Sequence, residues 1–256
     1  MSTRRDKLKD IKLSDAPNSH VELWLDKYIT DQKEPDSRRQ CVTEVSSLPI
    51  PEAYEEFYKR WLRMLEDRGA KKRPAHVKGR MIIGLGDESV LETAITLHRT
   101  YGVPYIPGSA LKGLAATYAR QRLGEAWQKG SKDSEAYKIV FGNTDDTGYI
   151  TFFDSLYIPG TGHKHNGEAQ ALYPDVITVH HQKYYQDPNN PPADWDDPIP
   201  VPFLSATGDF LIALAGPELQ EQEAWIEKTF TILRYALAEM GIGAKTSSGY
   251  GRMELE

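Results

Sequence analysis

The sequence predicts an α+β protein, because segments with helical and extended patterns alternate along the chain. Three segments repeat apolar residues at helical spacing, and four are short apolar runs typical of strands. We expect helices at 52–68, 110–123 and 223–240, and strands at 79–86, 149–157, 209–216 and 252–256. After residue 78 the order is therefore β-α-β, a long insertion, then β-α-β. This is the element order of the ferredoxin-like (RRM-like) fold.

The three long helices are predicted from their apolar stripes. In the first, the stripe comprises Tyr54, Phe57, Trp61, Leu62 and Leu65, and Gly69 is a typical C-terminal stop. The second begins after Ser109, which is expected to be its N-cap. The third is the clearest, with a stripe of Ile226, Phe230, Leu233, Leu237 and Met240. Each stripe predicts one face packed against a core.

The remaining segments divide the chain. Residues 1–78 are predicted to form a partly helical N-terminal extension, with one short helix near Val21–Tyr28, and residues 79–256 to form the domain. The segment 158–207 is rich in Pro, Asn and Gly and contains one strand-like stretch, 175–185. We interpret it as an insertion into the domain.

Composition limits the function classes. The chain has 256 residues, a net charge of −6 and one cysteine, Cys41, so no internal disulfide can form and a cytoplasmic location is expected. No secretory signal or membrane span is predicted. The acidic balance is unusual for a free-standing nucleic-acid binder. A basic stretch at 60–80 and an acidic one at 187–198 are each interpreted as solvated surface.

The glycine-rich stretch GIGAKTSSGYGR (241–252) is the first candidate site. It fails the phosphate-loop pattern, because Ala244 and Glu239 stand where glycines are required, and it follows a helix rather than a strand. Glycines allow close backbone approach and expose N–H groups. Helix capping needs only one glycine, so we expect a ligand-binding loop here.

The second candidate is a lysine in the first turn of the helix at 110–123. A cation is unfavourable at a helix N-terminus, so Lys112 predicts an anion nearby, held by the N–H groups of 108–111. The surroundings carry no dinucleotide motif, which favours a phosphodiester backbone. Arg99 would supply a further phosphate contact.

The histidines leave several alternatives open. His163 and His165 are interpreted as surface residues, and no metal site is predicted because the sequence lacks paired ligand motifs. His180 and His181 lie beside Lys183, Tyr184 and Tyr185, a basic and aromatic pattern that fits RNA contact. A histidine could instead serve as a general base of a nuclease.

These motifs resemble the RAMP superfamily of CRISPR proteins. The similarity rests on GVPYIPGSALKG, FGNTDDTGYITFFD and GIGAKTSSGYGRM. The stretches GLGDESVLETAITLHRTYGVPYIPGSALKG, YPDVITVHHQKYY and PVPFLSA are similar to the sixth-subunit family of the type III-B Cmr effector complex. The resemblance extends from residue 79 to the end of the chain.

The resemblance implies a non-catalytic subunit that binds the guide RNA backbone near its 3′ end, beside target RNA and other RAMP subunits, without a cofactor. The insertion would form a thumb-like projection at the guide–target duplex. The residues expected to contact RNA are Arg99, Gly108, Ser109, Lys112, His180, His181, Lys245, Thr246, Ser247, Ser248, Gly249 and Arg252.

One departure from the family bears on catalysis. The target-cleaving backbone subunits carry an aspartate at the position of Glu92, and the longer side chain would displace the carboxylate from in-line geometry. We therefore expect no cleavage. The alternatives are a guide-processing endoribonuclease that uses His98, His180 or His181 as base, and a scaffold that does not contact RNA.

Overall fold

The computed structural model describes residues 8, 11–13, 19–91, 93–128, 134–179, 184, 187, 189–191, 193–194, 198–217 and 222–256. Its helices are α1 (Val21–Lys27), α2 (Pro35–Ser46), α3 (Glu52–Asp67), α4 (Gly108–Arg122), α5 (Glu135–Phe141) and α6 (Gln222–Glu239). Its strands are β1 (Lys71–Val77), β2 (Tyr105–Ile106), β3 (Thr151–Phe152), β4 (Ser155–Tyr157), β5 (His163–His165), β6 (Glu168–Gln170), β7 (Leu172–Val179), β8 (Ile199–Ala206), β9 (Asp209–Ala215) and β10 (Met253–Leu255). Short 3₁₀ turns occur at Glu125–Trp127 and Thr246–Ser248.

The main sheet is antiparallel and has the order β10-β1-β9-β4-β2, with β3 also paired to β9. The strands between residues 158 and 207 form two separate hairpins, β5–β6 and β7–β8. The predicted α+β class is therefore confirmed. In the described residues, no helix is both long and apolar enough to cross a membrane.

Helices cover both faces of the main sheet. Alternate strand residues point to opposite faces, and Arg73 of β1 reaches Glu227 of α6, whereas Lys72 reaches Glu66 of α3. On the α3 side, fully buried Leu65 packs with Ala213 of β9. Helix α4 packs beside α6 on the other side. RNA-recognition folds that read bases on an open sheet face need that face exposed; here α3 covers its central strand.

The prediction of a strand at 79–86 is wrong, and the first strand of the sheet is β1. The sequence KKRPAHV hides this strand, because its charges and Pro74 resemble a loop. The proline is tolerated for a geometric reason. The carbonyl of Pro74 accepts from Glu256 N–H on the β10 side, and ladder pairing with β10 covers only residues 75–77. The missing N–H of Pro74 therefore costs no ladder bond.

The apolar run at 81–83 is buried as predicted, but it makes no strand ladder. Gly79 and Gly84 have positive φ values of 90° and 78°, which turn the chain at both ends of the run. Met81 forms an isolated bridge with Ala206, and Ile82 accepts from the N–H of Ala244. The run thus joins β8 to the glycine-rich loop.

The long helices were predicted well, and residues 19–50 contain one more helix than expected. Helix α1 matches the short helix predicted near Val21–Tyr28, but α2 was missed. A second core joins α1 and α2 to the β7–β8 hairpin through Trp24, Val45, Leu172 and Leu204. Helix α3 belongs to the main core, because the buried Tyr54 hydroxyl donates to the carbonyl of Tyr157 at 2.7 Å. The division of the chain between residues 78 and 79 stays a prediction.

Candidate nucleic-acid interface

The N-terminus of α4 contains an internal anion. The backbone N–H of Gly108 donates to Oδ1 of Asp154 at 2.8 Å, and a carboxylate there interacts favourably with the helix dipole. A Cβ on Gly108 would lie 2.2 Å from the carbonyl oxygen of Phe152, so only glycine fits. The anion that the sequence led us to expect is, at this N–H, a side chain of the protein itself.

Two polar residues of this turn remain open to solvent. The prediction that Ser109 is the N-cap is wrong: Pro107 occupies that position, because the helix begins at Gly108, and Ser109 is an exposed helical residue. Lys112 is half-buried. In the described residues, neither Lys112 nor the exposed Arg99 has an acidic partner within ion-pair distance. Both cations are therefore available to an external anion.

His98 lies in an aromatic cluster rather than beside a nucleophile. Its ring centroid is 5.0 Å from that of Phe57 and 4.9 Å from that of Tyr101. Burial lowers the pKa of His98 below its ordinary value, although Asp154 acts in the opposite direction. Its Nδ1 accepts from the N–H of Thr100 at 3.3 Å, so the neutral ring carries its proton on Nε2. Nε2 is then a hydrogen-bond donor, whereas a general base needs an unprotonated nitrogen to accept the proton.

The glycines of the 241–251 loop are required by packing. Gly241, Gly243, Gly249 and Gly251 all have positive φ. A Cβ on Gly243 would lie 2.0 Å from the carbonyl oxygen of Ile82, and one on Gly251 would lie 1.9 Å from that of Ile242. Only Gly249 faces open space. The glycines at 243 and 251 thus allow the loop to pack against the protein's own backbone rather than against a ligand.

The tip of this loop, Lys245–Gly249, presents its polar groups outward. Lys245 is exposed and has the left-handed backbone conformation, with φ 58° and ψ 30°. Within the described part of the chain, the N–H groups of Gly243 and of residues 245–247 donate no hydrogen bond. The side chains of Thr246, Ser247 and Ser248 add three hydroxyls. Such a cluster of free N–H groups beside a cation suits an anion.

Arg252 has a structural partner. Its Nη1 donates to the carbonyl oxygen of Ala238 at 3.1 Å, near the C-terminus of α6. A cation is favourable there, because the last carbonyls of a helix carry partial negative charge. The predicted RNA contact of Arg252 would have to use its remaining guanidinium donors.

A half-buried polar cluster, which the sequence did not reveal, fixes the loop to β7. Nε of Arg80 lies 3.1 Å from Oδ2 of Asp175 in β7, and the Tyr250 hydroxyl donates to the same oxygen at 2.7 Å. The Arg80 guanidinium also lies 5.2 Å from the ring centroid of Tyr173. Burial and the Asp175 carboxylate raise the pKa of Tyr250 to about 12. These contacts hold β7 and the loop as one unit.

The basic stretch at 60–80 is largely neutralised by the fold. Five of its eight cations form ion pairs with acidic residues: Lys71–Glu223, Lys72–Glu66, Arg73–Glu227, Lys78–Glu254 and Arg80–Asp175. The exposed pairs among them contribute little to stability, and all five pairs reduce the positive field that the stretch would otherwise offer. The interpretation of this stretch as solvated surface agrees with the geometry.

Several predicted residues lie outside the described residues. These are His180, His181, Lys183 and Tyr185, together with Glu92. His163 and His165 are exposed in β5. Across the described ranges, no group of three histidine, cysteine or acidic residues could hold a metal ion.

Strand register shows that the two candidate sites lie at diagonally opposite corners of the sheet. At one corner, Phe152 beside the α4 N-terminus pairs with Leu214, which pairs with Lys71 at the start of β1. At the other, Met253, just after the glycine-rich loop, pairs with Val77 at the end of β1. Six residues along β1 and three strand spacings across the sheet separate them. These steps amount to about 20 Å and about 14 Å, or about 25 Å along the diagonal.

Comparisons with known proteins agree with the motifs. The model of the RAMP superfamily matches residues 75–254. The CRISPR system Cmr subunit Cmr6 of Pyrococcus furiosus is 31% identical over 255 residues, covering 79% of this chain and 73% of the relative. The Cmr6 subunit of Saccharolobus solfataricus is 26% identical over 166 residues, covering 65% and 50%.

A solved structure supports the same fold. A chain of the type III-B Cmr-β complex bound to cognate target RNA matches with a TM-score of 0.64 and 20% identity, covering 89% of this chain and 76% of that one. With the motif order, the family match over most of the chain and the identity to Cmr6, the conclusion is that this chain belongs to the RAMP superfamily and, within it, to the Cmr6 family.

Proposed function

We propose that the chain is a non-catalytic RNA-binding subunit of a type III-B CRISPR effector complex, with guide RNA, target RNA and other RAMP subunits as partners. It would hold the guide backbone near its 3′ end and help to position the guide–target duplex for antiviral RNA targeting. The observation that carries the proposal is the Lys245–Gly249 tip. There a cation without an acidic partner in the described residues adjoins four N–H groups that donate no hydrogen bond in the same part of the chain. Contacts of this kind read charge and shape rather than base sequence.

The corner at Lys112 would supply the second backbone contact. Asp154 occupies the Gly108 N–H, so the contact there would come from side chains: Lys112, Ser109 and Arg99. Separated by about 25 Å, the two corners would hold different phosphates of one RNA strand. At the rise of about 3.4 Å per nucleotide along one strand of a B-form duplex, this span corresponds to roughly seven nucleotides.

The fold proposal is a ferredoxin-like core made of the sheet order β10-β1-β9-β4, preceded by an N-terminal extension. Because β1 pairs with both β9 and β10, we place the start of this core at Lys71. The segment 158–207, which contains the β5–β6 and β7–β8 hairpins, would be the thumb-like insertion.

Absence of cleavage is part of the proposal. It is supported by the tautomer of His98: Nδ1 accepts a hydrogen bond, so Nε2 carries the proton and is a donor. The endoribonuclease alternative keeps His180 and His181 as candidate bases. Incubation of the purified chain with precursor guide RNA separates the two: specific cleavage that His180→Ala or His181→Ala abolishes would overturn the proposal.

The RNA contacts can be tested through their salt dependence. The double variant Lys112→Ala/Lys245→Ala removes two phosphate contacts, each worth about 0.7 in the slope of log affinity against log salt. The slope for a 20-nucleotide single-stranded RNA should flatten by about 1.4, so the affinity lost from roughly 50 to 200 mM salt shrinks about sevenfold. Lys59→Ala is the control, because Lys59 is an exposed lysine already paired with Glu56. An unchanged slope in the double variant would count against the proposal.

A further inference from the structure

An apolar groove runs between α4 and α6, on the face of the main sheet opposite α3. It has a volume of about 330 Å³ and is lined by Tyr118, Leu123, Trp127, Ile232 and Tyr235, with Lys228, Thr231 and Glu239 at its edge. Trp127 and Ile232 are buried, whereas Tyr235 is 47% exposed. The rings of Tyr118 and Tyr235 lie nearly parallel, with centroids 6.5 Å apart. The groove is therefore a preformed aromatic slot open to solvent.

The border of this groove is positively charged. The Lys228 ammonium lies 5.2 Å from the Trp225 ring and the Arg234 guanidinium 5.4 Å from the Tyr235 ring. Arg122 is exposed at the end of α4. The carboxylate of the border, Glu239, accepts a hydrogen bond from the Tyr118 hydroxyl at 3.3 Å. An apolar floor with a basic border is complementary to an apolar side chain flanked by carboxylates.

The composition of the groove favours a protein partner over RNA. Buried and half-buried Trp and Tyr, with Arg at the border, are the residues that dominate binding energy at protein–protein interfaces. Two of the cations lie over aromatic rings, where cation–π attraction holds them beside the slot.

We propose that this groove docks a segment of another protein subunit of the effector complex, with an aromatic or aliphatic anchor next to Asp or Glu residues. The inference rests on the proposed function only in assuming that the chain works within a multi-subunit complex. The anchor would enter the slot between Tyr118 and Tyr235. The acidic residues would meet Lys228, Arg234 and Arg122.

The test is assembly without RNA. The purified chain is mixed with the other Cmr subunits of its own organism, and their association is measured for the wild type, Tyr235→Asp and Lys228→Glu. Each variant should weaken association about thirtyfold, the size expected of a hot-spot residue. Tyr149→Asp is the matched control, because Tyr149 is similarly exposed, at 54%, and lies outside the groove. All three substitutions are on the surface, and unchanged melting temperatures would verify folding.

A photo-crosslinking amino acid at Tyr235 identifies the occupant. The proposal expects a crosslink to a protein subunit in the RNA-free assembly. Three results would overturn it: unchanged association of both variants, a crosslink to RNA only when the assembly is repeated with RNA present, or loss of self-association of the isolated chain in Tyr235→Asp, which would make a second copy the occupant. A subunit crosslink together with an unchanged salt slope in Lys112→Ala/Lys245→Ala would refute the RNA contacts and leave the docking groove standing.

Discussion

The two glycines that end the glycine-rich loop allow a direct test of why the loop is rich in glycine. Both have positive φ, 92° at Gly249 and 70° at Gly251. A Cβ at Gly249 meets nothing within 4 Å, whereas one at Gly251 would lie 1.9 Å from the carbonyl oxygen of Ile242. Alanine at either position incurs the left-handed backbone strain, about 1–2 kcal/mol. Only at Gly251 does it also collide with backbone.

The collision at Gly251 should break two hydrogen bonds. Its N–H donates to the carbonyl of Arg80 and its carbonyl accepts from the N–H of Ile242, both at 2.8 Å. At about 1 kcal/mol each, their loss brings the cost of Gly251→Ala to about 3–4 kcal/mol. Since 1 kcal/mol shifts the melting temperature of a protein of this size by about 3 °C, we expect a drop of about 10 °C for Gly251→Ala and about 4 °C for Gly249→Ala.

Thermal unfolding followed by circular dichroism at one protein concentration measures both values. The wild type and Gly249→Ala are the references, because Gly249→Ala carries the strain without the collision. Equal drops in the two variants would refute the reasoning, since the backbone of residues 242 and 251 would then yield without cost. A larger drop in Gly249→Ala would show that its open space is filled.

Two further predictions concern the α4 corner. Asp154→Asn removes the charge at the helix N-terminus and should lower the free energy of unfolding by about 1 kcal/mol. Because the same change removes a negative charge near Lys112, it should also strengthen RNA binding severalfold. The control is Asp145→Asn, in an exposed turn, which should change neither stability nor RNA binding. Because the pKa of His98 is lowered in the folded chain, the unfolded chain binds a proton at this residue at a higher pH than the folded chain does. The contribution of His98 to the free energy of unfolding should therefore be complete above pH 6.5 and should fall as the pH drops below that value. Denaturant unfolding at pH 8 and pH 5 measures this fall in the free energy of unfolding. The fall should be smaller in His98→Asn than in the wild type or in the control His165→Asn. An equal fall in all three would contradict the partly buried position of His98.

The sequence predicted those elements whose signal is local. Helices α3 and α6 have long apolar stripes, and β9 is a continuous apolar run, so periodicity alone locates them within a residue or two. Strand β1 has no such signal, because its burial comes from α6 and β9 rather than from its own composition. Lys71 and Arg73 reach Glu223 and Glu227 of α6. A charged strand of this kind is recognisable only after its partners are known.

The site residues show the same limit. Lys112 led us to expect an external anion at the α4 N-terminus, which stays a prediction. The sequence could not show that the Gly108 N–H donates to Asp154, 46 residues further along the chain. The glycines at 243 and 251 were interpreted as ligand-binding, because the backbone segments that they pack against are distant in sequence. Arg80, Asp175 and Tyr250 come from three separate segments and match no motif. Contacts across the fold, rather than patterns along the chain, assign these roles.

Lys245 is the residue at which the structural and functional roles of the loop separate. The glycines provide the turns, yet one exposed left-handed position is occupied by lysine, at φ 58°. Glycine there would relieve about 1–2 kcal/mol of strain. The strain is held by neighbouring bonds: the Tyr250 N–H donates to the Lys245 carbonyl and the Ala244 N–H to that of Ile82. All the other left-handed positions of this loop are glycines, so the strain at Lys245 favours a role for its side chain. An ammonium group beside free N–H groups is suited to a phosphate.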